Sequence, residues 1–302
     1  RSGCTQVSEA RGCDISKSRA ENAKAGCPVT PAPAAKPAAK ASAAATPYAG
    51  QWVAKSDTGA TVATIRIDAK EQVLDVAAGS GAFTLRAARL GAEVTATDFA
   101  PGMVELLRAR FEAGGYHDCE AEVMDGQALD LPDGIFDLSV SMFGVIFFPD
   151  IDAGLRELAR VTRPGGRVAV ATWDLAGFRL VDLVREALRR ALPELDIPAP
   201  EPVWARIGDA DGLQAALEGA GLVEVVVHHL THAWTWDDPQ GFFRDLPAWS
   251  PPVQPLFQIL DAAQIDAGAA AFAELVSSAG GTSGGIDVTA LLGMGTAPAP
   301  AS

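Results

Sequence analysis

From Glu71 onward the chain alternates short β-prone apolar runs with stretches whose apolar residues recur every three to four positions. The runs at 71–76, 93–97, 120–124, 135–141 and 167–173 read as strands, and 83–90, 101–113 and 151–161 as the helices among them. Such alternation predicts an α/β fold, a parallel sheet with helices on both faces. Gly114-Gly115 stops the second helix, and Arg163-Pro164-Gly165-Gly166 reads as the turn into the fifth strand. A helix at 213–219 and strands at 222–230 and 286–292 complete the pattern. Between those last strands, residues 233–285 carry helical patterns near 239–246 and 253–278. That is too long for a plain hairpin and reads as a helical lid.

Residues 1–46 show no such periodicity. Pro31 to Pro47 is nearly all Ala, Pro, Lys, Ser and Thr, a composition that buries little surface, so 1–46 is expected to be a disordered tail or linker ahead of one domain at 47–302. The tail is also rich in Arg, Lys, Ser and Ala and poor in acids, as organellar transit peptides are. The expected location is cytoplasmic, with plastid or mitochondrion the alternative if 1–46 is such a peptide.

Charge and cysteine usage narrow the function. The chain carries a net charge of −14; the tail holds seven Lys/Arg against three Asp/Glu, so the body is more acidic still. An acidic body repels phosphate backbones, so no nucleic-acid substrate is expected. No apolar run reaches bilayer-spanning length. Cys4, Cys13 and Cys27 lie in the tail, without zinc-ligand spacing, and Cys119 alone lies in the body, which points to a reducing compartment. His228, His229 and His232 cluster on one strand, but neighbouring residues there face opposite ways, so no metal site is expected. His232 remains a candidate base.

The most specific segment is Val73-Leu74-Asp75-Val76-Ala77-Ala78-Gly79-Ser80-Gly81-Ala82-Phe83-Thr84. A strand ends in a glycine-rich turn that runs into a helix, presenting bare N–H groups and a helix N-terminus to a ligand. A dinucleotide site would place a third glycine where Thr84 stands, and the Asp75 carboxylate suits an ammonium group better than a pyrophosphate. A nucleoside carrying an amino acid fits both facts. Asp98 closes the second strand, where a carboxylate can accept both hydroxyls of a ribose. Asp125 ends the third, where it can accept from an exocyclic amine such as adenine N6. Phe99 and Met103 offer apolar surface for a purine, and Ser141-Met142-Phe143 border the reacting end. Each acid also has a plainer reading as a helix N-cap, Met103 as a core residue and the two glycines as a tight turn.

With the blocks VLDVAAGSGAFT (73–84), VTATDFAPGMVELLRARF (94–111), VMDGQALDLPDGIFDLSVSMFGVIFFPD (123–150) and LRELARVTRPGGRVAVATW (155–173) in this order, the chain resembles the class I S-adenosylmethionine-dependent methyltransferases. The likeness is to the broad group that includes ubiquinone/menaquinone-biosynthesis and natural-product enzymes. It implies a Rossmann-like, seven-stranded, mostly parallel sheet with an antiparallel last strand. It also implies S-adenosylmethionine as cofactor, with Asp75, Ala77, Gly79, Ser80 and Gly81 along the methionine moiety, Asp98 on the ribose and Asp125 with Gly126 at the adenine. Where many relatives carry a polar pair after the fourth strand, this chain has Phe147-Phe148; the Asn/Asp-Pro-Pro-Tyr run of adenine N6 enzymes is absent too.

The six tryptophans at 52, 173, 204, 234, 236 and 249 lie outside the glycine and acid blocks. Trp52, Phe143, Phe147 and Trp173 are candidates for an apolar acceptor pocket, with core packing as the alternative. The expected activity is methyl transfer to a small, mainly apolar molecule by in-line displacement. Two rivals stay open: a cofactor-binding interaction protein without turnover, and a nicotinamide-dependent oxidoreductase, which Asp75 and Thr84 disfavour.

Overall fold

The computed structural model describes residues 51–55, 61–197, 202–250, 253–278 and 285–299. The chain divides into two units, Arg1–Thr46 and Pro47–Ser302. The first, and with it the expected disordered tail, lies outside the described residues.

The second unit opens with an antiparallel pair, β1 (Gln51–Lys55) and β2 (Thr61–Arg66). Then follow β3 (Gln72–Val76), α1 (Thr84–Arg89), β4 (Glu93–Asp98), α2 (Pro101–Gly114), β5 (Glu120–Val123), β6 (Phe136–Met142) and α3 (Ile151–Val161). The rest comprises β7 (Thr162–Trp173), α4 (Leu180–Ala191), α5 (Ala210–Gly219), β8 (Val223–Thr235), α6 (Pro239–Trp249), α7 (Gln254–Gln258), α8 (Ala262–Ser278) and β9 (Gly285–Thr296). Seven strands form one sheet in the order β5-β4-β3-β6-β7-β9-β8. All pairings from β5 through β7 are parallel, and β9 runs antiparallel to both its neighbours. The expected seven-stranded sheet with an antiparallel last strand is what forms. Strand order reverses between β3 and β6, and the loops above that switch point are where an open α/β sheet binds ligands.

The sequence builds this sheet because its central strands are apolar on both faces, as parallel strands covered on both sides must be. Leu74, Val76, Val168 and Val170 pack with Leu155 and Leu158 of α3 and Leu213 and Leu217 of α5. On the opposite face Val73, Val94, Leu138 and Val140 pack with Ala87 and Ala88 of α1 and Ile65 of β2. Three helix starts are fixed by side chains that satisfy otherwise orphaned N–H groups. Asp150 accepts from Ala153 N–H at 2.9 Å, Asp209 from Gly212 N–H at 2.7 Å and Asp238 from Gly241 N–H at 2.9 Å. Gly115, left-handed at φ 68°, ends α2 as the sequence predicts.

The structure departs from the expected pattern in three respects. Arg163-Pro164-Gly165-Gly166 is no separate turn, because β7 begins at Thr162, directly after α3. Gly165 takes φ 75°, Gly165 N–H donates to Ala297 O at 2.8 Å, and Ala297 N–H donates to Gly166 O at 2.9 Å. Pairing with the end of the chain thus converts a turn signal into an irregular strand start. Second, β8 runs on to Thr235, since β9 supplies partners as far as Gly285. Third, α4 and the β1–β2 pair fall where no element was assigned. α4 buries Leu180, Leu183, Val184, Ala187 and Leu188, the spacing of one helix face.

The helices between β8 and β9 have a core of their own. Phe243 and Phe272 are fully buried there, among Leu183, Val184 and Leu188 of α4 and Ile286 and Val288 of β9. No described helix is long and apolar enough to cross a membrane. Replacing Phe272 with Ala removes a ring that touches Phe242 and Phe243 and should cost about 3–5 kcal/mol. Urea unfolding followed by far-ultraviolet circular dichroism measures this, and an unchanged midpoint would contradict a packed helical core.

Candidate functional site

Four strand ends and the loops after them form the candidate site at the carboxyl edge of β3, β4, β5 and β6. After Val76 the chain turns through Ala77 at φ 56°, Gly79 at φ 54° and Gly81 at φ 86°. Gly81 has to be glycine on two counts: its positive φ, and the Leu107 methyl that would lie 2.4 Å from an added Cβ. Nothing lies within 4 Å of the corresponding point on Gly79, so that stretch of backbone faces open space. The loop is tied to β4, with Ala78 N–H donating to Thr97 O at 2.9 Å. The exposed Ser80 accepts from Arg110 through its carbonyl.

Asp98 locks this loop to the start of α2. Its Oδ2 accepts from Gly79 N–H at 2.8 Å and its Oδ1 from Ala100 N–H at 2.9 Å. A carboxylate has about four acceptor positions, so each oxygen keeps capacity for a ligand donor. Asp98 is not the N-cap of α2; Ala100 occupies that position without a side-chain cap. Next to it Phe99 is 77% exposed, and Met103 also faces solvent rather than the core. Met124 N–H donates to Asp98 O at 3.2 Å, which sets the exposed Asp125 one residue further along the same edge. Asp125 is not a helix cap either. Its Oδ1 accepts from the side-chain amide of Gln127 at 3.0 Å and the backbone N–H at 2.9 Å, and these bonds hold its carboxyl below the usual range.

Asp75 is placed differently from the other two acids. It is 1% exposed, and its Oδ2 accepts from the Thr84 hydroxyl at 2.5 Å. Its other oxygen is buried without a hydrogen-bond partner. Burial raises its pKa to about 7, against the opposing Thr84 bonds, and the nearby Asp98 charge adds to the rise. Thr84, where a dinucleotide loop would have glycine, is thus the partner of the buried acid.

Gly126 earns its glycine by packing. An added Cβ would meet the Phe148 ring at 2.4 Å and Val76 Cγ1 at 2.7 Å. Gly154 makes room for the same ring, again at 2.4 Å. The Phe147-Phe148 pair is therefore split, Phe148 entering the core and Phe147 standing 57% exposed. Ser141 is fully buried at the end of β6, its hydroxyl without a partner. Beyond it, Phe143 takes φ 61° and sets its ring 4.4 Å from that of Trp173 at the end of β7. Phe178 stacks on Trp173 at 4.4 Å and Trp234 meets it edge-on at 5.9 Å.

The remaining candidates are dispersed. Trp52 lies in β1, but its side chain falls outside the described residues, as does that of Trp249. Trp204 packs on the α3–α5 side of the sheet, away from the helices between β8 and β9. His228 and His232 pair with Leu292 and Val288, whereas His229 pairs with Leu291 and faces the other way. His232 is exposed, on the strand face that also carries Trp234. Among the described residues no three His, Cys, Asp or Glu side chains are grouped to hold a metal ion. Gln127 escaped the sequence reading; besides holding Asp125, its Oε1 accepts from Asp150 N–H at 2.8 Å, joining the loops after β5 and β6. Its only signal was a polar residue two positions after Asp125.

The strand order and the acid-tipped strands define the class I methyltransferase fold, and sequence comparison agrees. Residues 73–166 match the family model described as "Methyltransferase domain". The chain is 37% identical over 171 residues to an uncharacterized protein of Mycobacterium tuberculosis, covering 54% of this chain and 61% of that one. It is 38% identical over 137 residues to a demethylmenaquinone methyltransferase of Mycolicibacterium vanbaalenii, covering 45% and 57% respectively. Among solved structures, the YcgJ protein from Bacillus subtilis superposes with a TM-score of 0.50 at 17% identity, over 77% of this chain and 94% of that one. The chain spans only about three fifths of the length of these two curated relatives. It carries a class I S-adenosylmethionine-dependent methyltransferase domain.

The buried acid gives a pH prediction. The native pKa of Asp75, about 7, lies above the ordinary value of about 3.9, so between those pH values the folded chain holds a proton that the unfolded chain has lost. The stabilisation is complete below about pH 4 and is lost as pH rises to about 7, with a slope of up to roughly 1.4 kcal/mol per pH unit. Asp75→Asn keeps an acceptor for Thr84 but cannot titrate. Urea midpoints of both proteins from pH 4.5 to 7.5 should show wild type losing stability relative to the variant as pH rises. A difference independent of pH would refute the assignment.

Proposed function

We propose that this protein transfers a methyl group from S-adenosylmethionine to a small, mainly apolar molecule. The observation that carries the reading is the Asp98 carboxylate, which braces the glycine loop through Gly79 while standing beside an exposed aromatic ring, Phe99. The edge fits an adenosine. The spare acceptor positions of Asp98 suit the two ribose hydroxyls, the exposed Phe99 and Met103 offer apolar surface to the purine, and Asp125 can accept from its amine. The open space over Gly79 leaves room for the chain that joins ribose to amino acid.

Asp75 enters this reading as a support for the loop. Enclosed and bonded to Thr84, it holds the first turn of α1 against β3, so the ammonium group must find its acceptors among the loop carbonyls.

Bound here, S-adenosylmethionine supplies an activated methyl on a sulfonium. It would give up that methyl to the acceptor by in-line displacement and leave as a neutral thioether, while Asp98 and the glycine loop would hold its nucleoside. Charge is dispersed in this displacement, so alignment and exclusion of water provide most of the rate. The rings of Phe143, Trp173, Phe178 and Trp234 provide the apolar surroundings, and the helices between β8 and β9 act as the lid that keeps water out. His232, on the Trp234 face of β8, is the candidate to take a proton from an acceptor that must lose one.

Asp98→Ala should weaken S-adenosylmethionine and S-adenosylhomocysteine binding by about 1–3 kcal/mol, through the lost charge-assisted bonds and the loosened loop. Titration calorimetry on the folded variant tests this, and unchanged affinity would sink the ribose assignment. Incubation with labelled S-adenosylmethionine and a quinol, phenol and fatty-acid panel tests turnover; binding without transfer to any of them would favour a non-catalytic role.

A further inference from the structure

Gln127 spans two loops, and both ends of its side chain are committed. Its Oε1 accepts from Asp150 N–H at 2.8 Å, while its Nε2 donates to Asp125 Oδ1 at 3.0 Å. The amide cannot be turned over. A backbone N–H only donates, so the oxygen must face Asp150 and the nitrogen must face Asp125. The backbone N–H of Gln127 gives the same carboxylate oxygen a second donor at 2.9 Å. Two donors thus hold Oδ1 of the exposed Asp125, and Oδ2 has no partner among the described residues.

Packing fixes the frame in which this bridge works. Asp150 caps α3 by accepting from Ala153 N–H, so the N–H that it offers Gln127 is anchored at a helix start. The Phe148 ring lies against both partners' segments, since a Cβ added to Gly126 or to Gly154 would each meet it at 2.4 Å. The ring packs between the Asp125 loop and the start of α3, and the half-buried Gln127 joins the same two segments by hydrogen bonds. An acid that only solvated the surface would gain nothing from so defined an orientation, because holding a side chain in one rotamer costs entropy.

We propose that Gln127 is the positioning residue that sets the base specificity of the methyl-donor site: by engaging Oδ1 it presents Oδ2 of Asp125 to the exocyclic amine of adenine. The inference rests on the methyl-transfer reading, which puts the adenine at Asp125. An amine donates and matches a carboxylate oxygen. The carbonyl that hypoxanthine carries at the same position only accepts, so it meets Asp125 oxygen to oxygen and leaves both unpaired. Discrimination of this kind needs a carboxylate that is held, since a loose one swings away from the wrong base. A glutamine holds it without neutralising it, as a Lys or Arg would.

Titration calorimetry at pH 8 with S-adenosylhomocysteine and with S-inosylhomocysteine, in which a carbonyl replaces the amine, measures base preference without turnover. Wild type should prefer the adenine ligand by about tenfold or more. Gln127→Ala removes the bridge, whereas Gln127→Glu keeps its size and the Asp150 bond but sets a negative oxygen where the donor stood. Both should lower the preference to about threefold or less. In the ligand-free chain, carbon-13 NMR should show the Asp125 carboxyl titrating at higher pH in Gln127→Ala than in wild type, because the side-chain bond that holds it below the usual range is gone. Thermal unfolding midpoints close to that of wild type check that both variants fold. An unchanged preference in both variants, a loss with Ala but not with Glu, or an unchanged Asp125 titration would overturn the role of Gln127. Failure of S-adenosylhomocysteine to bind wild type would instead overturn the methyl-donor reading and, with it, the base assignment.

Discussion

The site depends on one carboxylate. Asp98 ends β4, and its two oxygens hold the N–H groups of Gly79 and Ala100, so a single side chain fixes the loop after β3 and the entry to α2. Both N–H groups sit at segment ends that lack ladder partners, and a charged acceptor satisfies them more strongly than a neutral one would. Because β3 and β4 are parallel neighbours with Val76 opposite Thr97, the end of β4 lies directly beside the loop it must brace. Remove that clasp and the open space over Gly79 loses its defined floor.

The three acids that tip or line these strands divide the work by burial. Asp98 and Asp125 reach solvent and have backbone or amide donors that orient them. Asp75 lies inside, where burial drives its carboxyl toward neutrality and Thr84 is its partner. One residue type thus stands toward solvent at two positions of this edge and serves as internal support at a third. Low dielectric around the third and water around the other two make the difference.

Much of the fold was legible because its signals are local. The parallel strands and the first three helices follow from periodicity, and Gly115 closes α2 where the Gly-Gly pair predicts. Arg163-Pro164-Gly165-Gly166 misled because its N–H and C=O groups pair with Ala297, over a hundred residues away in sequence. The length of β8 was equally hidden, since residues 231–235 are strand only because β9 lies alongside. The helix α4, by contrast, carries a clear amphipathic pattern; it was legible and simply passed over.

The sequence by itself determined the class of site: acids at or near the ends of strands, a glycine turn after the first of them, and an order of blocks that resembles one family. Those features are written in residue types and spacings, which short-range sterics and hydrogen bonding convert into structure without distant help. Only the tertiary structure decided what each residue does. It turned Asp75 inward onto Thr84, made Gly126 a seat for the Phe148 ring, separated Phe147 from Phe148 and set Phe143 against Trp173. Burial and ring contact arise between segments far apart in the chain, so no local pattern can assign them.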